Sequence, residues 1–541
     1  MAASIHDRGT EQAPLASGAW SRYPPGVPDP VPGSTLVPLA DWAPLHPAAA
    51  ALADGRFPLA DAAGPRPPRS NALAGALAQA NRSWGNPVDA TLDRWLGGAT
   101  VVVSGQQPGL LGGPLLTLVK ACTVVAEVAR RQATGEDAVG FLWLATADDD
   151  LPEMGWARVS AGEALLAARE EGWRRGQALG GVVPLGGAVS ALLDRLAEGG
   201  LSEHGLAAVE LARRCYLPET RLGEATACFL AALLRDTGVV LVDACEPVLA
   251  RVAAPIVRGV LEQLPRAWNA LNEGTAALSA RGWSSPLKIT PTTLPLFRRA
   301  GDRRERIATS AAACPTAVLD EVTKFPERFL PNAWLRPLVQ DAALDSTIAI
   351  LGSAELAYHA QAAGVWSLIG LSRPEWRLRP HVTVVTAADR RLAAQLRVTP
   401  EQLLRARLPA HLLPGGRVAR ANRRLAATLE AKLKDVEQLA EHELPALRGD
   451  LDATRRKVAG SVSWLDDRIA QAATRQAETE AGRWRRLRAF LRPSGRAQER
   501  ELSVLAPLLR LGPEWPRELA AALDPCHPGM HLLCWEEGGK W

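Results

Sequence analysis

Short apolar runs bounded by glycine or aspartate recur along the first two thirds of the chain, and helical periodicity follows each of them. Residues 99–104 (ATVVVS) and 139–145 (VGFLWLA) lie on either side of a helical stretch at 115–131. Uninterrupted apolar runs of this length are typical of strands buried in a parallel sheet, which helices connect by right-handed crossovers. Similar runs occur at 238–243 and 347–351. The sequence therefore predicts an α/β fold with a doubly wound parallel sheet.

Between residues 420 and 491 the pattern changes to dense charge, with apolar residues three and four positions apart. This spacing is typical of a coiled coil or a long helical pair. Pro445 and Gly449 interrupt it, so at least two helical segments are expected. The pattern leaves open whether these helices pack within one subunit or join two subunits. The first apolar series is Leu425, Leu429, Leu433, Val436 and Leu439.

These patterns divide the chain into sections. The core is expected in two parts, 71–155 and 331–418, with a further core strand in 236–250. The other sections are a Pro/Gly-rich N-terminal segment (1–70), a helical connecting insertion (155–235), a second insertion of helix and irregular structure (250–330), a coiled-coil helical domain (419–491) and a C-terminal segment that packs on the core (492–541).

Composition narrows the function classes. The chain has 541 residues, of which 47% are hydrophobic and 22% charged, as in folded multidomain proteins. A net charge of only +4 argues against a dedicated nucleic-acid binder. Seven scattered cysteines without a CxxC pair indicate a reduced, intracellular protein. Because we find neither a signal peptide nor an apolar run long enough to span a membrane, we expect a cytoplasmic protein.

A glycine-rich loop at 105–113 lies between the first predicted strand and its helix. Ligands of open α/β sheets bind at such points, because the amides of a helix N-terminus attract anions. The glycine spacing matches neither common nucleotide-binding loop, so a tight turn explains it equally well. Lys120 lies in the following apolar helix, where it reaches either a ligand or the solvent. The loop residues of interest are Gly105, Gln106, Gln107 and Gly109.

Candidate polar residues follow the other strands. Asp148 and Asp150 come directly after the second strand, where carboxylates hold a substrate ammonium or Mg²⁺, act as acid and base, or only form a solvated turn. Arg336 can clamp a carboxylate or pair with an aspartate of the protein. Gly352, Ser353 and Glu355 begin a helix, and capping alone would explain them.

Two thiols and two imidazoles lie close together near the end of the chain. The spacing of these four residues matches no common zinc site, so no metal centre is predicted there. They are Cys526, His527, His531 and Cys534.

Several blocks, spread from about residue 65 to the end of the chain, resemble the BshC family, the cysteine-adding enzymes of bacillithiol biosynthesis. The block VVVSGQQPGLLGGPLLTLVKA (101–121) resembles the glycine-loop motif of that family. FLWLATADDD (141–150), WLRPLVQD (334–341), LGSAELAYHAQ (351–361) and RPSGRAQER (492–500) are similar to its later blocks, in the same order.

The resemblance implies a Rossmann-like core, connecting insertions similar to those of class I aminoacyl-tRNA synthetases, and a coiled-coil domain that forms a homodimer. It implies a ligase that adds L-cysteine to glucosaminyl-malate by forming an amide bond in bacillithiol biosynthesis. A nucleotide, ATP or ADP with Mg²⁺, is the expected carboxylate activator, and no redox cofactor, nucleic acid or membrane is expected.

The resemblance also implies which residues face one crevice. Asp148, Asp150 and Lys120 are the implied catalytic residues. The implied substrate- and nucleotide-binding residues are Gly105, Gln106, Gln107, Gly109, Arg336, Gln340, Asp341, Gly352, Ser353, Glu355 and Tyr358.

The acidic block departs from the family pattern. The family has Glu-Asp-His-Asp followed shortly by Asn-His, whereas this chain has Ala147 to Asp150 followed by Gly155 and Trp156. The two histidines are thus replaced by Asp149 and Trp156, and a carboxylate is a much weaker base than an imidazole. Two rival functions therefore stay open: a catalytically degenerate dimeric scaffold or ligand-binding relative, and a nucleotide-dependent ligase or transferase for another amine.

Overall fold

The structure is a computed structural model that describes residues 35–37, 46–53, 64, 66–309, 313–399, 402, 404, 416–474, 478–527 and 529–535. Most of the Pro/Gly-rich segment predicted for residues 1–70 lies outside the described residues.

The strands are β1 (Thr35–Val37), β2 (Thr100–Gln106), β3 (Ala138–Leu144), β4 (Trp156–Ala161), β5 (Ala164–Arg169), β6 (Val240–Asp243), β7 (Thr293–Ala300), β8 (Arg303–Ala308), β9 (Phe329–Pro331), β10 (Ile348–Leu351), β11 (Glu375–Leu378), β12 (His381–Thr386) and β13 (Met530–Trp535). The helices before the coiled-coil section are α1 (Pro47–Ala53), α2 (Asn71–Ser83), α3 (Asp89–Leu96), α4 (Leu116–Ala133), α5 (Leu151–Met154), α6 (Ala188–Glu198), α7 (Glu203–Cys215), α8 (Leu222–Leu233), α9 (Pro247–Glu262), α10 (Leu264–Ser279), α11 (Thr316–Lys324), α12 (Arg336–Leu344), α13 (Ser353–Ala362), α14 (Gly364–Leu368) and α15 (Ala387–Gln395). Those that follow are α16 (Gly416–Glu443), α17 (Arg448–Thr474), α18 (Glu478–Leu491), α19 (Gln498–Glu501), α20 (Leu505–Leu511) and α21 (Trp515–Ala522).

Five parallel strands form the core sheet in the order β11-β10-β2-β3-β6. Alternate residues of each strand enter different hydrophobic cores, because successive side chains of a strand point to opposite faces. Val102 and Leu142 pack with α4 and α8, whereas Val101 and Phe141 pack with α2, α9 and α12 on the other face. This arrangement explains the uninterrupted apolar runs and confirms the doubly wound fold predicted from the sequence.

The strand order reverses next to β2. The chain runs from β2 to β3 and β6 on one side and then returns to β10 on the other side. The carboxyl ends of β2, β3 and β10 therefore surround a crevice at the switch point, where open α/β sheets bind ligands.

Both insertions contain β-hairpins that the sequence pattern did not reveal. The first begins with the antiparallel pair β4–β5, and the second contains a three-stranded sheet in the order β8-β7-β9. These strands are half-exposed and rich in arginine and alanine, so they lack the apolar runs that identify core strands.

The coiled-coil section forms a helical hairpin. Asn422 of α16 donates a hydrogen bond to Asp466 of α17, and Arg455 of α17 pairs with Glu437 of α16. Residues early in α16 thus meet residues late in α17, which makes the pair antiparallel. Within the chain, the predicted helices therefore pack against one another.

The segment after α18 returns to the core. The buried amide of Gln498 bonds to both backbone groups of Val384 in β12, and β13 pairs with β12 in a second, smaller sheet. Among the described residues, no helix is long and apolar enough to cross a membrane.

Candidate active site

A cavity of about 890 Å³ opens at the carboxyl ends of the core strands, between the two insertions and the C-terminal segment. It contains most of the residues that the sequence implied. Asp150, Gln340 and Asp341 do not line it. The implied residues that do are Gly105, Gln106, Gln107, Gly109, Lys120, Asp148, Arg336, Gly352, Ser353, Glu355 and Tyr358.

Lys120 joins three elements at the floor of the cavity. Its Nζ donates hydrogen bonds to the carbonyl of Gly105 (2.6 Å), to Oε1 of Gln106 (3.0 Å) and to Oε2 of Glu355 (2.6 Å). A lysine ammonium has three N–H donors, so all of them are used. Lys120 therefore holds β2, α4 and α13 together at the floor of the cavity.

Glu355 is the anionic partner of Lys120 and also caps α13. Its Oε2 accepts a hydrogen bond from the backbone N–H of Gly352 (2.7 Å). Burial opposes ionisation of this carboxyl, but the Lys120 ammonium, Arg336 and the Gly352 N–H outweigh it and lower the pKa of Glu355 to about 2. Glu355 therefore has two roles at once: it caps α13 and it lines the cavity.

The glycine loop uses its amides within the protein. The N–H of Gly109 donates to Thr226 Oγ1 (3.2 Å), and that of Gly112 donates to the hydroxyl of Tyr216 (2.7 Å). The N–H of Leu115, at the start of α4, donates to the carbonyl of Leu502. These three amides are bonded within the protein, so they are not free to bind a phosphate.

The glycines of this loop serve a tight turn instead. A Cβ on Gly109 would lie 2.7 Å from the Cα of Gly113, and Gly113 itself has a φ of +73°. A side chain at Gly109 would clash with Gly113, and a side chain at Gly113 would strain the backbone at its positive φ. Only the part of the loop before Leu110 faces the cavity.

Arg336 is the guanidinium of the opposite wall. Its Nη2 donates to the hydroxyl of Tyr358 (2.8 Å), and its Nη1 lies 3.4 Å from Oε1 of Gln340. Neither partner is a carboxylate, so the positive charge of Arg336 remains available for an anionic ligand. Gln340, which is itself buried, acts from behind Arg336 and not on the cavity surface.

Asp341 lies behind the wall instead of facing the crevice. Its Oδ2 accepts a hydrogen bond from Nε1 of Trp366 (2.9 Å), and its side chain is buried in α12. Burial raises the pKa of Asp341 to about 7. The sequence placed Gln340 and Asp341 in the crevice because they follow Arg336, but the helix turns them inward.

The three aspartates after β3 point in different directions. Asp148 lines the cavity and accepts hydrogen bonds from Gln107 and from Nη2 of Arg304 (3.0 Å). The same Nη2 lies 2.6 Å from Oδ1 of Asp149. Asp150 instead pairs with the exposed Arg175 outside the cavity. Asp148 and Asp150, both implied as catalytic, therefore do not share the cavity, because a turn at residues 146–147 and not an extended strand follows β3.

Sequence analysis missed several charged residues of the cavity. Lys288, Arg304 and Arg306 come from the second insertion, whereas Arg379 and Arg500 lie before β12 and in α19. The available signals were the arginine-rich hairpin strands and the RPSGRAQER block. Neither signal shows that these arginine side chains reach the cavity at the edge of the core sheet. Only the tertiary structure brings these segments to one cavity.

Arg379 is fixed by a buried carboxylate from the C-terminal segment. Glu499 accepts hydrogen bonds from both terminal nitrogens of Arg379 (2.7 and 2.9 Å) and lies 2.8 Å from Nδ1 of His381. Burial opposes ionisation of Glu499, but Arg379 and His381 lower its pKa well below the usual range. The pair therefore carries full charges inside the protein.

Residues 59–380 match the family described as Bacillithiol biosynthesis BshC, N-terminal Rossmann-like domain. Residues 417–535 match its C-terminal coiled-coil domain. The chain belongs to the BshC family.

Curated members of the BshC family match over most of their length. A protein of Salinibacter ruber named "Putative cysteine ligase BshC" is 28% identical over 86% of this chain and 88% of the relative. A protein of Symbiobacterium thermophilum with the same name is 28% identical over 90% of this chain and 96% of the relative. These matches identify the chain as a member of a ligase family of bacillithiol biosynthesis.

The described residues offer no metal centre to this BshC family member. Among them, no group of three or more His, Cys, Asp or Glu side chains is arranged to hold a metal ion. Asp148 and Asp149 share the Arg304 guanidinium, so both carboxylates already have a cationic partner. Nε2 of His531 donates a hydrogen bond to the backbone carbonyl of His527 (3.0 Å), and the two imidazole rings are in contact. The described residues therefore supply no cluster of three or more such ligands for a metal ion.

Proposed function

We propose that this protein is a cytoplasmic cysteine ligase that joins L-cysteine to glucosaminyl-malate through an amide bond. Its membership of the BshC family supports the ligase class and the bacillithiol pathway. The cavity at the switch point of the core sheet supports small-molecule substrates, since this is where α/β folds bind them.

The charge of the cavity carries the proposal. Seven cationic and three carboxylate side chains line it. Lys288, Arg306 and Arg500 have no carboxylate within ion-pair distance among the described residues, so their charges are not neutralised by the protein. Such a wall favours substrates with several negative charges, and both a malate group and a nucleotide meet this description.

The residues can be given roles on this basis. Arg336 would bind a substrate carboxylate, because its guanidinium is oriented by Tyr358 and no carboxylate of the described residues lies within ion-pair distance of it. Lys288, Arg306 and Arg500 would hold the phosphates of ATP or ADP, which would supply the activation of the carboxylate. Bringing the amine and the acyl group together in one cavity lowers the entropic part of the barrier.

One observation favours the rival of a degenerate, ligand-binding relative. The position at which the family has a histidine is occupied by Asp149, whose carboxylate is paired with Arg304. A paired carboxylate cannot replace an imidazole as a proton acceptor. The rival therefore predicts binding of the anionic substrates without turnover.

Mass spectrometry of a reconstituted reaction tests the proposal. Purified protein is mixed with L-cysteine, glucosaminyl-malate and ATP, and the amide conjugate is measured over time. A family member that retains the Glu-Asp-His-Asp block serves as the positive control. Product from the control but none from this protein would reject the ligase function. Calorimetry with glucosaminyl-malate and ADP would then show whether the protein still binds these ligands, as a degenerate relative would, or binds neither of them.

A further inference from the structure

The three carboxylates that line the cavity have different surroundings. Glu355 is paired with Lys120, and Asp148 is paired with Arg304. Glu153 lines the same cavity, and no cation of the described residues lies within ion-pair distance of its carboxylate. Glu153 is thus the carboxylate of this cavity that the protein does not neutralise.

The backbone around Glu153 is firmly held. It lies in the single-turn helix α5, which follows the acidic bend after β3. Leu151 and Met154, on either side of it, are buried in the core formed with α4 and α8. Since these neighbours point inward, the carboxylate of Glu153 remains exposed to the cavity.

The charges around Glu153 suit a group that takes up a proton. Partial burial and the negative charges of Asp150 and Asp148 raise the pKa of Glu153, while Gln107 and Arg175 oppose the rise. Arg500, from the C-terminal segment, also interacts electrostatically with Glu153. A carboxylate with a raised pKa is a better proton acceptor at neutral pH than an ordinary one.

We propose that Glu153 binds the ammonium group of the amine substrate and accepts its proton, which makes it a catalytic residue of this site. The proposal rests on the proposed ligase function. The proton passes from nitrogen to the Glu153 carboxylate, and the freed electron pair of nitrogen forms the C–N bond with the carbonyl carbon of an activated carboxylic acid. The leaving group of that acyl donor departs with the electron pair of its bond to the carbonyl carbon, and the second proton of the nitrogen passes to water. Glu153 then returns the first proton to water.

This assignment accounts for the missing histidines. Asp149 and Trp156 stand where the family pattern has imidazoles, and Asp149 is paired with Arg304. Of the acidic residues in this part of the chain, Asp150 faces away from the cavity and pairs with Arg175. Glu153 is the remaining group that combines access to the cavity with a carboxylate that has no cation of the described residues within ion-pair distance, although Gln107 hydrogen-bonds to it.

A binding measurement tests the ammonium contact without turnover. Calorimetry compares L-cysteine with 3-mercaptopropionate, which has the thiol and carboxylate but no amine. We expect Glu153→Gln to weaken cysteine binding about tenfold and to leave 3-mercaptopropionate unchanged. Glu171→Gln, the same change at an exposed position outside the cavity, is the matched control and should bind both like the wild type.

A rate measurement tests the proton transfer. We expect Glu153→Gln to lower the rate of amide formation about 100-fold and to remove the acid limb of its pH profile, whereas Glu153→Asp retains an intermediate rate and that limb. Glu153→Gln with wild-type cysteine affinity, rate and pH profile would overturn the proposal and leave the ligase function standing. Wild-type protein that binds cysteine through Glu153 but forms no conjugate would reject the ligase function and keep the ammonium site. Wild-type protein that neither binds cysteine nor forms the conjugate would reject the ammonium site and the ligase function together.

Discussion

Nζ of Lys120 lies 2.6 Å from Oε2 of Glu355 and links the helix after the first core strand to the helix after β10. Only 3% of the Lys120 side chain is exposed, so its charge has no access to solvent. Removing one partner of such a buried pair leaves an uncompensated charge. Substitution of either Lys120 or Glu355 is therefore expected to destabilise the floor of the cavity.

The first prediction concerns this pair. We expect Glu355→Gln to lower the free energy of unfolding by about 3 kcal/mol, because the Lys120 ammonium loses its counter-ion. Urea denaturation followed by tryptophan fluorescence measures the change. The double variant Lys120→Met and Glu355→Gln should recover a large part of the loss. Equal stability of Glu355→Gln and the wild type would contradict the buried pair.

The second prediction concerns the carboxylate clamp. We expect Arg336→Lys to raise KM for the malate-bearing substrate about tenfold with a smaller effect on kcat, because an ammonium cannot make the paired contacts of a guanidinium. Tyr358→Phe removes the hydroxyl that accepts a hydrogen bond from Arg336 and should raise KM about threefold. Initial rates across substrate concentrations give both values. A fall in kcat without a change in KM would place Arg336 outside the binding contacts.

The third prediction concerns pH. Burial raises the pKa of Asp341 from 3.8 to about 7, so the unfolded chain ionises at lower pH than the folded protein. The stability contributed by this residue is fully present below about pH 4 and is lost as the pH rises through about 7. We expect Asp341→Asn to remove this loss, so the variant gains about 3 kcal/mol relative to the wild type between about pH 5 and pH 8. Denaturation curves at several pH values measure the free energy of unfolding of the variant and of the wild type. A difference between the two proteins that does not change with pH would contradict the raised pKa of Asp341.

The fourth prediction concerns the carboxylate behind Arg379. We expect Glu499→Gln to lower the free energy of unfolding by about 3 to 5 kcal/mol, because Arg379 and His381 lose their common buried anion. The exposed Glu514 pairs with Arg517 on the surface, and Glu514→Gln should change the stability by less than about 0.5 kcal/mol. Similar effects of the two variants would argue against the buried network.

The fifth prediction concerns the helical hairpin. Leu439 of α16, Leu444 in the connection between α16 and α17, and Trp464 of α17 are each more than half exposed. A second copy of the chain is the proposed cover for this surface. Light scattering should give twice the mass of one chain, and Leu439→Glu should give a monomer. Leu206→Glu, at an exposed leucine of α7, is the control and should remain a dimer. A wild-type monomer would contradict the proposed homodimer.

The sequence predicted four of the five core strands, because these four are buried on both faces, but it missed the half-exposed edge strand β11. The runs around Val102 and Phe141 have no polar alternation, and such runs specify parallel strands almost without tertiary information. The hairpins of the two insertions could not be predicted, because their strands are short, half-exposed and rich in arginine.

The candidate site was predicted less completely. Residues at strand ends, such as Gln106 and Asp148, were found because parallel strands end at a common edge. Arg304 and Arg500 were missed because they come from segments that are distant in sequence from the core strands, whereas Glu153 was missed because no pattern indicated that the single-turn helix after Asp150 faces the cavity. Asp341 points into the protein because of the orientation of α12 about its own axis, and the spacing of residues in the sequence does not specify that orientation.

The position of Glu499 and Arg500 in the chain has a consequence for biosynthesis. A ribosome that has released residues as far as Leu491 has already made every strand of the core sheet, but not the anion that neutralises Arg379. The cationic wall is therefore completed only after the helical hairpin has been translated. Prematurely terminated chains that end within the hairpin will carry the sheet and remain enzymatically silent.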